Sequence, residues 1–260
     1  MSDLDLGMIG NCSVSALVNQ RGKVVWWCLP RPDGDPVFHA LLGSESGDPL
    51  DGAFTIEMEN FARSEQHYVE NTAVLVTRLF AEDGSGAEIV DFFPRFLAKG
   101  RVFRPAQLVR RIRPIQGRPR IRIVLRPRFG WGKTRPEITS GSNHVRFVGP
   151  DLTLRLSTDA AVSYIRDETF FVLERGLNLF LGPDESLTDR PGTIAREFLE
   201  ETEYYWKRWS LRLGLPLEWQ EAVIRAAITL KLCTFEETGA IIAAATTSIP
   251  AAPGSERNWD

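Results

Sequence analysis

Short apolar runs separated by turn residues fill the first two-thirds of this 260-residue chain. In AFTIEME, Phe54, Ile56 and Met58 alternate with polar residues, which is the period of a strand with one buried face. Two apolar runs flank residues 19–22 in SALVNQRGKVVWWCLP, and two more flank residues 83–86 in AVLVTRLFAEDGSGAEIVDFFP, so both stretches predict hairpins. The same pattern predicts strands at AQLVRRIRPI, RPRIRIVLRP, NHVRFVGP, LTLRLS, VSYIRDE, TFFVLER and LNLFLGP. Such a series, with glycine and proline between the runs, predicts an antiparallel β-sandwich or barrel.

The hydrophobic period becomes helical near residue 190. Apolar residues stand at helical spacing in PGTIAREFLEETEYYWKRWSLRL, and Pro191 suits a first helical turn. PLEWQEAVIRAAITLKLCTFEE predicts a second helix, with an apolar stripe on or near Trp219, Val223, Ile224, Ala227, Leu230 and Leu232. The small apolar segment after Gly239 predicts a loop or short strand. Because a lone amphipathic helix needs a partner to bury its stripe, we expect a second domain of which only the beginning is present.

Composition and charge narrow the class of protein. The net charge of −3 gives the chain no strong attraction to nucleic acid or to an anionic membrane. The cysteines are odd in number and widely spaced, which argues against a disulfide framework or a zinc cluster: Cys12, Cys28 and Cys233. The start, MSDLDLGMIG, lacks the basic region of a secretory signal, and no apolar run reaches the roughly 20 residues of a membrane span. We therefore expect a cytoplasmic protein with no membrane or nucleic-acid partner and no metal or other cofactor.

Catalytic signatures are sparse in the sequence. The histidines lie far apart, without carboxylate or cysteine neighbours at ligand spacing: His39, His67 and His144. Eleven arginines fall within residues 101–135 and alternate with apolar residues in RIRIVLR. They predict either an anion- or RNA-binding face, with Phe129 and Trp131 as stacking groups, or a solvated sheet face paired with Asp and Glu. The net acidity favours the second interpretation, and no catalytic residue can be assigned.

Several stretches together resemble one enzyme family. MIGNCSVSALVNQRGKVVWWCLPRPDGDPVFHALLG is similar to the opening of bacterial glucoamylase-like and trehalase-like proteins of glycoside hydrolase family 15. LVRRI and RPRFGWG resemble later strand motifs of that family, and YYWKRW resembles its linker helix. The most specific likeness is LKLCTFEETGAIIAAATTSIP followed by RNWD. The resemblance covers essentially the whole chain, in order.

This resemblance implies an order of domains and indicates which domain would carry catalysis. An N-terminal β-sandwich, of the supersandwich type, would occupy residues 1–188. A linker helix would follow over 189–215, and a truncated (α/α)6 catalytic barrel would begin over 216–260. Family members hydrolyse α-glucosidic bonds with inversion, using one glutamic acid to protonate the leaving oxygen and a second carboxylate to activate water. Both belong to barrel segments beyond residue 260, so the chain would lack the catalytic glutamates and be inactive alone.

The resemblance also implies which residues approach the substrate. The end of the chain matches the approach to the glucose pocket: Arg257, Asn258, Trp259 and Asp260. Trp259 would stack on a sugar or pack at the barrel mouth. Trp27, Arg31 and Asp33 match a loop expected to face the barrel. That loop departs from the family at two positions, where Pro32 replaces the usual Phe and Gly34 the usual Ser.

Three functions stay open at this point. The first is the N-terminal scaffold of an inverting glycosidase acting on starch-type glucans or trehalose. The second is a stand-alone carbohydrate-binding or assembly module, with Trp131 as an exposed platform. The third is a nucleic-acid binder using the arginine face. Under the first, the partner of the full-length protein is an α-glucan or trehalose, and the exposed stripe of the second helix predicts a homo-oligomer.

Overall fold

In the computed structural model, the residues described are 5–43, 47–249 and 252. Their strands are β1 (Leu6–Gly10), β2 (Ser15–Asn19), β3 (Val24–Leu29), β4 (Asp35–Phe38), β5 (Phe54–Met58), β6 (Phe61–Tyr68), β7 (Leu75–Ala81), β8 (Gly86–Phe92), β9 (Phe96–Ala98), β10 (Arg101–Phe103), β11 (Leu108–Gln116), β12 (Arg120–Leu125), β13 (Glu137–Ser140), β14 (His144–Val148), β15 (Thr153–Thr158), β16 (Phe171–Val172), β17 (Leu177–Pro183), β18 (Thr234–Phe235) and β19 (Ala240–Ile241). Their α-helices are α1 (Val162–Arg166), α2 (Pro191–Ser210) and α3 (Gln220–Leu232).

Two antiparallel sheets form the body of the molecule. The first sheet has the order β1-β2-β3-β5-β12-β16, with β4 paired to β3, and the second has the order β13-β14-β15-β17-β11-β8-β7-β6. One continuous apolar core contains buried side chains from both sheets, among them Trp27 and Phe54 from the first and Ile89 and Leu179 from the second. Two sheets that share a core in this way are a β-sandwich. The predicted fold class, a mainly β antiparallel sandwich followed by a helix, is confirmed.

The hairpin between β2 and β3 forms where the sequence predicts it. The side-chain oxygen of Asn19 accepts hydrogen bonds from the backbone N–H groups of Arg21 and Lys23, both at 3.0 Å. Gly22 has a φ of 73°, a conformation that costs glycine no steric penalty. An asparagine at the start of a turn and a glycine at its end allow such a turn to be predicted from sequence.

A fully buried ion pair within the second sheet also contacts the first sheet. Arg110 of β11 donates from Nε and Nη2 to the carboxylate of Asp91 on β8, at 2.7 and 2.9 Å. Its Nη1 donates across the core to the carbonyl of Phe54 on β5, at 3.0 Å, and the guanidinium lies 4.6 Å from the Phe54 ring centroid. Both charged side chains are 0% exposed. A buried pair of this kind is tolerated because every strong donor and acceptor finds a partner.

Not every predicted element has the predicted form. VSYIRDE, interpreted above as a strand, contains the one-turn helix α1, whose Ile165 packs into the core. The prediction of a strand there is wrong because alternation over so few residues does not separate a strand from a single helical turn. The edge strands β6 and β13 were not predicted. Their side chains are largely polar or exposed, so they lack the alternating apolar signal.

The two long helices pack on the sandwich in different ways. Ile194 and Ala195 of α2 are buried against a cluster on the outer face of the second sheet, and Trp206 of α2 is 0% exposed beside α3. On α3, the side chains that pack inward follow a four-residue spacing: Ile224, Ile228 and Leu232. The predicted apolar stripe is therefore only partly buried, since Trp219 and Leu230 are 79% and 68% exposed. Among the described residues, no helix has the length and apolar character needed to cross a membrane.

The arginine-rich stretch is extensively paired with carboxylates. Among the described residues, eight of its eleven arginines form ion pairs with Asp or Glu: Arg104, Arg110, Arg113, Arg118, Arg120, Arg122, Arg126 and Arg128. Phe129, considered above as a stacking group, is buried, whereas Trp131 is 47% exposed. The observed pairing agrees with the interpretation of a sheet face neutralised by acidic side chains.

Candidate functional site at the junction of sandwich and helices

Strand β3 carries two neighbouring tryptophans that face opposite ways. Trp27 points into the core, where its ring stacks on Phe38 at 5.9 Å between centroids and meets Phe93 edge-on at 5.1 Å. Trp26 faces outward and donates from its indole N–H to the carbonyl of Ala245, at 2.8 Å. This alternation follows from the two-residue period of a strand. The first sheet is therefore covered on its outer face by the segment that follows β19.

That segment makes a second contact with β3. The Cys28 Sγ atom lies 3.3 Å from the Ser248 hydroxyl oxygen. Burial raises the pKa of the Cys28 thiol to about 11, so it stays protonated at neutral pH and acts as a small packing group. Residues 245–248 thus lie along β3. The predicted site residues Arg257, Asn258, Trp259 and Asp260 lie outside the described residues.

The loop after β3 presents the exposed pair Arg31 and Asp33. The Arg31 Nη2 atom lies 2.5 Å from Asp33 Oδ2, and hydrogen bonding from Arg31 holds the pKa of the Asp33 carboxyl below its ordinary value. The Arg31 guanidinium also lies 5.6 Å from the ring centroid of Phe235 on β18. The structure therefore places Arg31 and Asp33 together beside the β18–β19 hairpin. It does not bring Trp27 to them, because that side chain is 0% exposed in the core.

A cluster of charges centred on Glu236 ties this hairpin to the sandwich. Arg95 Nη2 and Lys231 Nζ each donate to Glu236 Oε1 at 2.6 Å, and Arg104 Nε lies 3.7 Å from Oε2. Burial opposes ionisation of Glu236, but the hydrogen bonds from Arg95 and Lys231 outweigh it and hold its pKa below the ordinary value. We call these four side chains the ionic clamp. Three cations around one carboxylate give the clamp a net positive charge.

The clamp is continuous with the loop between β1 and β2. Arg95 Nη1 donates to the carbonyl of Asn11 at 2.6 Å, and the backbone N–H of Glu236 donates to the carbonyl of Cys12 at 3.0 Å. The side-chain amide of Asn11 in turn donates to the carbonyls of Pro94 and Pro105, at 3.2 and 2.7 Å. Arg95 is 2% exposed and the other three clamp side chains are half-buried, so water screens the clamp less than it screens an ion pair on the open surface.

Helix α3 has a separate attachment at its other end. Arg225 donates from Nη1 to the carbonyl of Thr72 at 2.8 Å, and its guanidinium stacks over the Tyr68 ring at 3.9 Å from the centroid. The Tyr68 hydroxyl hydrogen-bonds both the N–H and the carbonyl of Met8, at 2.7 and 3.0 Å. Two polar attachments and one apolar stripe thus fix α3 relative to the sandwich.

The chemistry of this junction is that of attachment and positioning. Its carboxylates, Asp33 and Glu236, are both ion-paired and have lowered pKa values, which suits neither to donate a proton at neutral pH. Within the described part of the chain, no group of His, Cys, Asp and Glu side chains is arranged to hold a metal ion. The junction can therefore hold a neighbouring element in place and present the Arg31–Asp33 pair beside it.

The clamp residues were not identified from the sequence. Arg95 and Glu236 are 141 residues apart, and their meeting depends on the folded arrangement of sandwich and hairpin. One signal was available for Arg95, because it is the one charged residue in the otherwise apolar run FFPRFLA. A single charge within such a run predicts a buried and paired side chain.

Sequence comparison now places the chain in a family. A sequence model described as "Trehalase-like, N-terminal" matches residues 4–169. The chain belongs to the trehalase-like N-terminal family. The matched residues of this trehalase-like domain run from before β1 to just beyond α1, which is most of the sandwich.

Curated relatives extend the likeness of the trehalase-like chain beyond that domain. It is 28% identical to the trehalase of Thermoplasma volcanium, over 98% of this chain and 41% of that protein. It is 27% identical to the trehalase of Mycolicibacterium smegmatis, over 98% of this chain and 42% of that protein. It is 30% identical to trehalase 1 of Sulfolobus acidocaldarius, over 98% and 42%. The chain thus spans about two fifths of the length of the curated relatives it matches. No solved structure gives a significant match.

Proposed function

We propose that this chain is the N-terminal scaffold of an inverting glycosidase of the glycoside hydrolase family 15 type. The observation that carries the proposal is the combination of a trehalase-like N-terminal match over residues 4–169 with relatives named trehalase, of which the chain covers about two fifths. Those names favour trehalose over starch-type glucans as the substrate of the whole protein. The cytoplasmic location and the independence from cofactors stay predictions from the sequence.

The domain boundaries proposed from the sequence assign residues 1–188 to the sandwich, 189–215 to the linker helix and 216–260 to the start of the barrel. Exposed apolar side chains on α3 and in the three residues before it support this division. Leu217, Trp219 and Leu230 are 98%, 79% and 68% exposed, although apolar side chains of this size are usually buried. We infer that the remaining barrel helices would cover them.

In this proposal the sandwich and the ionic clamp hold the first barrel helix and its following hairpin at a fixed position. The Arg31–Asp33 pair beside the hairpin would border the pocket, with residues 257–260 completing the approach to the sugar. Trp27 would act from within the core by supporting β3, since its own side chain is buried. Inversion requires two carboxyl groups about 6.5–9.5 Å apart with room for a water molecule between them. We assign neither role to a residue of this chain.

The direct test is a glucose-release assay. The 260-residue chain is incubated at high concentration with trehalose, maltose and soluble starch, with a complete trehalase as positive control. We expect no turnover of any substrate, because the proton donor and the water-activating base act together and we assign both to the rest of the barrel. Sustained glucose release by the purified chain, abolished by heat, would contradict the proposal.

The exposed side of α3 offers a second test, by analytical ultracentrifugation. We expect concentration-dependent self-association of the chain through this apolar surface. The triple substitution Leu217→Ser, Trp219→Ser and Leu230→Ser should shift the protein toward monomer. As a matched control, Leu97→Ser removes an apolar side chain that is 66% exposed on β9 and is not part of α3, and it should leave association unchanged. A wild-type chain that stays monomeric at all concentrations, or equal effects of both variants, would count against an uncovered barrel face.

A further inference from the structure

A cleft of about 750 Å³ opens on the sandwich at a place that shares no residue with the ionic clamp. Its walls come from the end of β12, the β13–β14 hairpin, helix α1 and the loop before β5. The volume lies within the range of roughly 300–1,000 Å³ that is usual for small-molecule sites. The proposed function gives this cleft no role.

The floor of the cleft is apolar. Four buried side chains contribute to it: Leu125, Val145, Phe147 and Ile165. Ile138 of β13 adds a fifth apolar group, and because it is 56% exposed it lies where an entering ligand would meet it. A floor of this kind favours a ligand with an apolar face.

The rim of the cleft is charged, but the charges balance. Four arginines line it, Arg126, Arg128, Arg135 and Arg166, and so do four carboxylates, Asp48, Asp51, Asp167 and Glu168. With equal numbers of each sign, the rim exerts little net attraction on an anion or a cation. A strongly charged ligand, such as a polyphosphate or a nucleic acid, is therefore a poor match for it.

Ion pairing holds several rim groups in fixed positions. Arg126 donates from Nε and Nη2 to the two carboxylate oxygens of Glu168, at 2.7 and 2.6 Å, and from Nη1 to Asp48 at 2.6 Å. Arg128 donates from Nε to Asp51 at 2.7 Å. Paired side chains of this kind keep spare donor and acceptor positions at a set geometry, which lowers the entropy lost when a ligand binds.

One wall of the cleft is also anchored through its backbone. Arg128 and Arg135 stand on the two arms of the loop between β12 and β13, just outside a bridge in which Phe129 and Thr134 exchange hydrogen bonds of 3.0 and 2.9 Å. At the tip of that loop, the backbone N–H of Trp131 donates to Asp35 at 2.7 Å. Arg128 and Arg135 are thus carried by a braced loop.

From the apolar floor, the balanced rim and the fixed donors and acceptors, we propose that this cleft binds a neutral sugar of one or two rings. The C–H face of a sugar ring would lie on the apolar floor. Its hydroxyl groups, which donate and accept at once, would bond the arginine donors and carboxylate acceptors of the rim. This site lies in the sandwich and is independent of the catalytic barrel proposed above, so binding and hydrolysis can fail separately.

Isothermal titration calorimetry on the 260-residue chain tests the proposal, with trehalose and maltose as neutral probes and inorganic phosphate as the anionic probe. We expect at least one disaccharide to bind saturably at sugar concentrations below about 50 mM. A Kd of about 1 mM, which is weak binding, would be reached well within that range. We expect no saturable heat from phosphate. Absence of sugar binding up to that concentration, or binding of phosphate alone, would overturn the proposal.

Two matched variants locate the site. Ile138→Lys changes an exposed apolar residue of the cleft and should weaken disaccharide binding at least about tenfold. Ile115→Lys makes the same change at a residue of β11 that is 38% exposed and does not line the cleft, and it should bind like the wild type. If Ile138→Lys fails to fold, as judged by circular dichroism, Arg135→Ala at the exposed rim replaces it with the same expectation. Equal binding by the cleft variant and the Ile115 control would place the sugar elsewhere and overturn the proposal.

Discussion

The sandwich and helix α3 differ in how completely they are enclosed. Core residues of the sandwich are covered from both sheets, and even the charges of Arg110 and Asp91 are 0% exposed within it. Helix α3 buries Ile224, Ile228 and Leu232 on one side and leaves its opposite side open. A helix held on one face gains only part of the free energy that a fully packed element gains. The difference teaches that α3 depends on the sandwich for its position, and it predicts that the sandwich can stay folded when α3 is detached.

The largest effect should come from breaking the buried pair in the sandwich. Asp91→Ala would leave Arg110 as an uncompensated charge in the core, which typically costs about 3–5 kcal/mol. We expect the urea unfolding transition of the sandwich to show that loss. As a control, the double variant Asp91→Leu with Arg110→Met removes both charges and should lose less than the single variant. If the single and double variants are equally destabilised, the ion pair is not the reason for the loss.

A smaller and local effect is expected in α3. Ile228→Ala deletes a side chain that is 1% exposed, at a typical cost of about 2–5 kcal/mol. Because α3 is held on one side only, we expect it to detach while the sandwich stays folded. Limited trypsin digestion would report this as faster cleavage after Arg225 and Lys231, with the sandwich fragment intact.

The matched control for that experiment lies two residues further on. Leu230→Ala removes a similar number of atoms from a side chain that is 68% exposed, and surface changes are usually worth less than about 0.5 kcal/mol. We expect its digestion pattern to match the wild type. Global unfolding of Ile228→Ala, with simultaneous cleavage of the sandwich, would show that α3 and the sandwich are one cooperative unit.

The ionic clamp should give the smallest effect of the three, and one that depends on pH. Glu236→Gln keeps the shape of the side chain but removes the charge, and hydrogen bonds to a charged group typically contribute about 1.5–3 kcal/mol. Because the pKa of Glu236 is lowered in the folded protein, its contribution is complete above its ordinary pKa of 4.5 and is lost as the pH falls through the lowered value.

We therefore expect the difference in stability between the wild type and Glu236→Gln to be largest at neutral pH and to shrink on acidification below about pH 5. Near-UV circular dichroism during urea unfolding measures it. The reporter is Tyr205, whose ring centroid lies 4.7 Å from the Arg95 guanidinium and which meets Trp206 edge-on at 5.6 Å. Glu237→Gln, at an exposed neighbouring carboxylate, serves as the control and should show no such pH dependence. If the difference in stability between the wild type and Glu236→Gln stays constant from neutral to acidic pH, the charge of Glu236 is not what holds the hairpin.

Much of the sandwich could be predicted from the sequence because its strands carry the signal themselves. Phe54, Ile56 and Met58 alternate along β5, and all three are buried as expected. Strands β6 and β13 were missed for the opposite reason, since exposed polar edge strands have no apolar alternation. The difference is physical, because alternation records burial and not hydrogen bonding.

The junction was less accessible to prediction than the fold. The resemblance directed attention to Arg31 and Asp33, which the structure places beside the β18–β19 hairpin. The resemblance also included Trp27, which the structure buries. The sequence could not predict that burial, because both faces of β3 are buried and the strand shows no alternation of apolar and polar residues. The contact between Arg95 and Glu236 depends on long-range packing, which local sequence patterns do not encode.

Native-state hydrogen exchange of the 260-residue chain tests most directly whether α3 is held on one face only. We predict that amides of residues 224–232 exchange through local opening, at least about tenfold faster than the central amides of β8, β11 and β17. The sandwich amides should exchange only through global unfolding. Equal protection of α3 and the sandwich would contradict the account, because it would mean that the helix needs no further partner to be fully stable.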